Sequence, residues 1–192
     1  MKRFLFLFIP TLLAAAGATM AQGRYLTKTG RVTFFSASPI EDIEAQNQQA
    51  GAMIDLGSGQ VAISIPIRSF TFKRTLMQEH FNENYLESDK FPKATFSGKL
   101  LGTNAATLGQ GQQKVTVEGD LTIHGVTHHV TVPGVVELKN NQLQATATFS
   151  VAPADYKIEI PLLVRDKIAK TVSVRVALAC DPVATTPSAK TP

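Results

Sequence analysis

"VTVEGDLTIHGVTHHVTV", Val115 to Val132, decides the fold. Val115, Val117, Leu121 and Ile123 alternate with Thr116, Glu118, Asp120 and Thr122, and Val130 and Val132 resume the beat after Gly125. Successive side chains of a strand point to opposite faces, so an apolar set at period two marks an antiparallel strand with one dry and one wet face. A glycine between two such runs marks a hairpin turn. The same stretch holds three of the four histidines, His124, His128 and His129. It therefore also asks whether the hairpin is a metal site.

The beat extends along the chain. Val61, Ile63, Ile65 and Ile67 are apolar at odd positions, and Ala94, Phe96 and Leu100 at even ones. Leu143, Ala145, Ala147, Phe149 and Val151 follow, and the last run is Val172, Val174, Val176 and Leu178. Turn signals separate the runs: Gly57 to Gly59, Asn140–Asn141 and the Gly125 region. These features predict an all-β fold of roughly eight antiparallel strands, either a closed barrel or a two-sheet sandwich. A barrel of that size can hold one small ligand. Parity alone does not say whether the inward side chains line a cavity or fill it.

One segment breaks the beat. Between Thr75 and Phe96, Met77, Phe81 and Tyr85 recur at helical spacing, with Leu76 widening the stripe. Pro92 bars continuation and starts a new strand. The expectation is one short amphipathic helix, Leu76 to Tyr85, capping a barrel end and gating access. Leu101 to Gln113 is polar and glycine-bearing, and reads as a mobile loop.

The chain of 192 residues opens with Lys2 and Arg3, an apolar run from Phe4 to Ala18, and then small residues. That is the pattern of a secretory signal peptide, residues 1–21, whose apolar run is shorter than the ~20 residues of a retained span. Localisation is then periplasmic or secreted, with no integral membrane span after signal removal. No cysteine follows the signal, which speaks against lipid-anchored maturation. Residues 22–182 form the barrel domain, about 170 residues remaining in the mature chain, an ordinary single-domain length. The Pro/Thr/Ala-rich stretch 183–192 reads as a disordered tail. Cys180 is the only cysteine, so no internal disulfide is possible, and its parity with Val176 and Leu178 turns it inward. Formal charge is +4; without Lys2 and Arg3, 17 basic residues stand against 15 acidic. They are scattered, with no basic patch and interleaved aromatics for nucleic acid.

If Ile123 and Val130 both point inward across a four-residue loop, His124 opposes His129 on the outer face. Directly opposed residues could share a metal with His128 as a third ligand. Solvated turn histidines are the plainer reading. His80, with Glu79, Glu83 and Asn84 nearby, resembles a general-base neighbourhood, yet Glu79 points to another helix face and Glu83 is an ordinary surface pair. No nucleophile elbow or phosphate loop is present.

Several stretches resemble the YceI-like family. They are Phe91, Pro92 and Phe96 of "KFPKATF", and Gly119, Leu121, Thr122, Gly125, Val126 and Thr127 of the hairpin. Residues 34–70 are similar to the family's opening strands, and "LMQEHFNENYLESDKFP" to its helix. The resemblance covers roughly residues 25 to 180. It implies an extended lipocalin-like antiparallel barrel, exported from bacteria, around a long hydrophobic pocket. Members bind polyisoprenoid chains such as isoprenoid quinones, without catalytic residues, and a histidine in the hairpin is frequent. The chain departs from the pattern at His128–His129, where a Lys-Pro-like dipeptide often stands.

The reading is therefore a non-enzymatic carrier for an isoprenoid or other long-chain amphiphilic lipid. It has no cofactor apart from such a lipid, and its partner is a hydrophobic small molecule. The lumen residues expected from parity are Phe34, Ile63, Ile65 and Phe96, then Leu121, Ile123 and Phe149, then Val174 and Val176. Met77, Phe81 and Tyr85 come from the helix. The alternatives are a metal-binding protein or metal-dependent hydrolase using His124, His128 and His129, and a structural envelope protein without ligand.

Overall fold

Nine strands form in the computed structural model, which describes residues 23–37, 42–104, 106–161 and 169–183. They are β1 (Arg24–Ser36), β2 (Ile43–Asp55), β3 (Gln60–Pro66), β4 (Phe70–Phe72) and β5 (Lys93–Leu101). β6 (Gln113–Ile123), β7 (Val126–Lys139), β8 (Gln142–Val151) and β9 (Val172–Pro182) complete them. The expected signal segment and all of the expected tail except Val183 lie outside the described residues. Val183 donates its backbone N–H to the Arg24 carbonyl.

β1 bonds to β2 on one side and to β9 on the other, so the order β1-β9-β8-β7-β6-β5-β3-β2 closes on itself. The result is a closed eight-stranded antiparallel barrel, not a sandwich. β4 is the extra strand: β2 pairs with β3 at Gly51–Ile54 and with β4 at Ala45–Asn47. The corner between β3 and β4 is fixed by the fully buried Asn47. Its amide donates to the Pro66 carbonyl at 2.7 Å and its oxygen accepts from the Gln49 N–H at 2.7 Å. A buried amide is tolerable here because both ends are satisfied.

Two hairpins turn in two residues each. Asn140 and Asn141 have φ of 51° and 63°, His124 and Gly125 of 50° and 73°. Positive φ at both central residues is the backbone that matches strand twist, and Asn and Gly reach it at least strain. The second hairpin corrects the expected four-residue loop. Ile123 pairs with Val126, Leu121 with His128 and Asp120 with His129, so His124 does not oppose His129. A slip of four residues leaves the faces unchanged, since faces repeat every two. Alternation could therefore fix what points inward without fixing the register.

One end of the barrel is sealed. Leu143 and Cys180 face each other across β8 and β9, both without exposure. Leu108 joins them at 1% exposure, delivered by the loop between β5 and β6. The Gln113 amide pins that loop, donating to the Thr107 hydroxyl at 2.8 Å and the Asn104 carbonyl at 3.1 Å. The stretch expected to be a mobile loop is a plug; a single buried leucine leaves no periodic signal.

The helix forms as α1 (Thr75–His80) and continues as one π turn through Tyr85, where Leu86 N–H bonds back to the Phe81 carbonyl at 2.9 Å. The wider turn keeps Phe81 and Tyr85 on the face set by Met77. Leu76 is a correction: it is 60% exposed and outside the stripe. Among the described residues no helix is long and apolar enough to cross a membrane.

Candidate functional site

The helical segment lies over the barrel end opposite Leu108, and a cavity of about 430 Å³ opens beneath it. Four rings knit the lid to the wall. Phe81 stacks on Phe34 at 5.4 Å between centroids, tilts onto Phe72 at 5.0 Å, and meets Phe70 edge-on at 5.5 Å. Such aromatic pairs contribute about 0.5–1.5 kcal/mol each beyond the area they bury. Deeper in the barrel a second chamber of about 90 Å³ abuts the first, and Ile65, Leu121, Phe149 and Val176 line both.

The residues expected in the lumen all line these chambers. Phe34, Ile123 and Val174 line the upper one with Met77, Phe81 and Tyr85 from the helical segment. Ile63 and Phe96 line the lower one, and Ile65, Leu121, Phe149 and Val176 lie between. Gly98 and Gly119 face each other across β5 and β6, where the two backbones and the Phe96 ring come close together. A Cβ on Gly98 would stand 2.2 Å from the Glu118 carbonyl and 2.7 Å from the Phe96 ring.

Several wall residues were not among those expected in the lumen, including Val32, Phe70, Phe72, Val151 and Val172. Val151 and Val172 already stand in the alternating runs of Phe149 and Val174, and Val32 shares parity with Phe34, so carrying the lumen assignment along each run would have included them. Ile158 and Ile160 line the cavity from the irregular segment after Tyr156, where no period exists to read. Among the described wall residues only His80 and Tyr85 carry titratable groups. A wall of this kind can hold hydrocarbon but offers no charge to hold an ion.

The three hairpin histidines go to three places. His124 is 10% exposed and bridges two segments at the cavity rim. Its Nε2 meets Glu87 Oε2 at 2.7 Å and its Nδ1 meets the Tyr156 carbonyl at 3.2 Å, with Phe91 edge-on at 4.5 Å. His128 Nε2 donates to the Asp155 carbonyl at 2.9 Å, its ring edge-on to Tyr156. His129 stands on the outer face between Asp120 at 2.8 Å and Glu118 at 3.2 Å. Hydrogen bonds to these two carboxylates, Asp120 first, raise its pKa above the ordinary histidine value. The register does not bring His124 opposite His129, so the expected shared-metal pair is not formed. Among the described residues no group of three His, Cys, Asp or Glu side chains is placed to hold a metal ion. Burial pushes the Cys180 thiol up to about 11, with Asp181 adding to it, so the thiol is inert at neutral pH.

The barrel has solved counterparts. A polyisoprenoid binding domain from Saccharophagus degradans implicated in plant cell wall breakdown superposes with a TM-score of 0.71 at 19% identity, covering 84% of this chain and 99% of that one. BcnA of Burkholderia cenocepacia gives 0.67 at 18% identity, covering 81% and 96%. The YCEI protein of Campylobacter jejuni gives 0.58 at 14%, covering 74% and 86%. At these identities the likeness establishes a shared fold. No curated protein sequence matches the chain. The sequence pattern of the YceI-like domain matches residues 15–180. That match takes in every strand of the barrel apart from the last two residues of β9, and the chain therefore belongs to the YceI-like family.

Proposed function

We propose that this chain is an exported, non-enzymatic binding or carrier protein for an isoprenoid or other long-chain amphiphilic lipid. The observation that carries the reading is the pair of abutting chambers, walled by aliphatic and aromatic side chains and holding no carboxylate, ammonium or guanidinium among the described wall residues. An apolar tail moved from water into such a space gains about 25 cal/mol for each Å² buried. Phe34, Phe81 and Tyr85 contact the ligand near the mouth, Ile65, Leu121, Phe149 and Val176 in the middle, and Ile63 and Phe96 below. The polyisoprenoid-binding domain that shares this fold supports the ligand class. Export to the periplasm or beyond rests on the basic and apolar opening of the sequence, residues 1–21.

The test is organic extraction of protein purified from its native host, followed by mass spectrometry. A lipid enriched at near one per protein chain is expected. Protein that emerges lipid-free and takes up no prenyl lipid when incubated with one would leave the ligand-free structural role standing instead.

A further inference from the structure

The two chambers differ in the size of the side chains that make them. In the upper chamber the inward positions of β8 and β9 carry Phe149, Val151, Val172 and Val174. In the lower one the inward positions of β8 shrink to Ala145 and Ala147, and Ala147 pairs with Gly134 of β7. Below them the space ends at Val136 and Leu143, with Leu108 as a plug. The lower chamber therefore exists because two alanines and a glycine stand where larger residues would have filled the barrel. It meets the upper chamber at Ile65, Leu121, Phe149 and Val176, which line both.

Resting on the binding reading above, we infer that the lower chamber sets the chain length the protein accepts, with Ala145, Ala147 and Gly134 as the residues that determine specificity. The ligand is an uncharged amphiphile with one apolar chain. Its polar head lies at the mouth by His80 and Tyr85, and its tail passes between Phe149 and Leu121 to end against Val136. A tail too long for the floor must leave apolar carbons in water, and each methylene left there forfeits about 0.8 kcal/mol, close to fourfold in affinity.

The experiment uses geraniol, farnesol and geranylgeraniol to displace an uncharged naphthylamine dye from the full chain, and reads the ratio of affinities along the series. Ala147→Leu fills the lower chamber and should lower affinity for the longest prenol that wild type accepts by about tenfold or more relative to the shortest. Val115→Ala enlarges the same chamber from the β6 side and should shift the ratio the other way. Ala145→Leu repeats the filling test should Ala147→Leu fail to fold, and urea melts establish which variants are folded. An unaltered length ratio in the folded variants overturns the inference while leaving the binding reading in place. No displacement of the dye by any prenol from wild type overturns the binding reading and the inference with it.

Discussion

The two ends of the barrel are built from the same alternating strands and behave as opposites. At the sealed end, Leu143, Cys180, Val136 and Leu108 are fully enclosed aliphatic or thiol groups of moderate size, and they interlock. At the open end, Phe34, Phe72 and Phe81 are half-buried rings spaced 5.0–5.7 Å apart, and they leave a cavity beneath a helix that ends in a π turn. Compact side chains reaching the axis from all sides close a barrel, whereas flat rings brace one another and span a gap. Stability and binding thus divide along the barrel axis, and substitutions at the two ends should separate them.

The largest expected effect lies at the sealed end. Leu143→Ala removes a side chain with no exposure and should lower stability by about 3–5 kcal/mol, read from urea melts. Leu108→Ala should lose about 2–4 kcal/mol. A loss under about 1 kcal/mol at Leu108 would mean that its loop is not a plug, and the contrast between the ends would weaken.

Phe81→Ala comes next, at the open end. A fully buried phenylalanine costs about 3–5 kcal/mol on truncation, and this half-buried one should cost roughly half that. Its release of a fluorescent prenyl analogue should accelerate more than the stability loss predicts, because lids are drawn from the low-stability parts of a fold. Ile65→Ala, at the junction of the chambers, should lose stability with less effect on release. Equal release rates for wild type and Phe81→Ala would make the helix ordinary packing.

His124→Asn sharpens the same comparison on the rim. Asparagine tolerates the φ of 50° at this position, so the substitution tests the contacts to Glu87 and Tyr156 and leaves the turn intact. A loss of about 1–2 kcal/mol is expected. Hydrogen exchange should rise around Glu87 and Tyr156 and stay unchanged at Leu143.

The smallest effect is that of His129. Its pKa is raised in the folded state by Asp120 and Glu118, so its contribution is fully present below the unfolded value of 6.5 and disappears as pH rises through the higher folded value. Stability should therefore decline slightly above pH 6.5 in wild type, and the decline should shrink in His129→Gln. The pair is exposed and screened, so the difference is small, and a large one would show that the outer face of the hairpin is not solvated.

Much of the site was legible because inward positions obey a local rule. Phe149 and Val174 could be assigned to the lumen from parity, and Met77, Phe81 and Tyr85 to the cavity-facing side of the helical segment from a spacing of four. The opposition of His124 and His129 was misread because it needed the hairpin register, which shifts by four residues without altering any face. Leu108 was missed because one buried side chain in a polar loop has no period.

The sequence by itself determined the alternation, the inward set, the helix and the turns, since each follows from backbone geometry within a few residues. Tertiary structure alone decided that β1 meets both β2 and β9, that Leu108 seals one end, and that the other end stays hollow. Whether inward side chains meet or leave space depends on their combined volume against the diameter of the closed barrel. That diameter is set by strand number and stagger across the whole chain, and no local pattern encodes it.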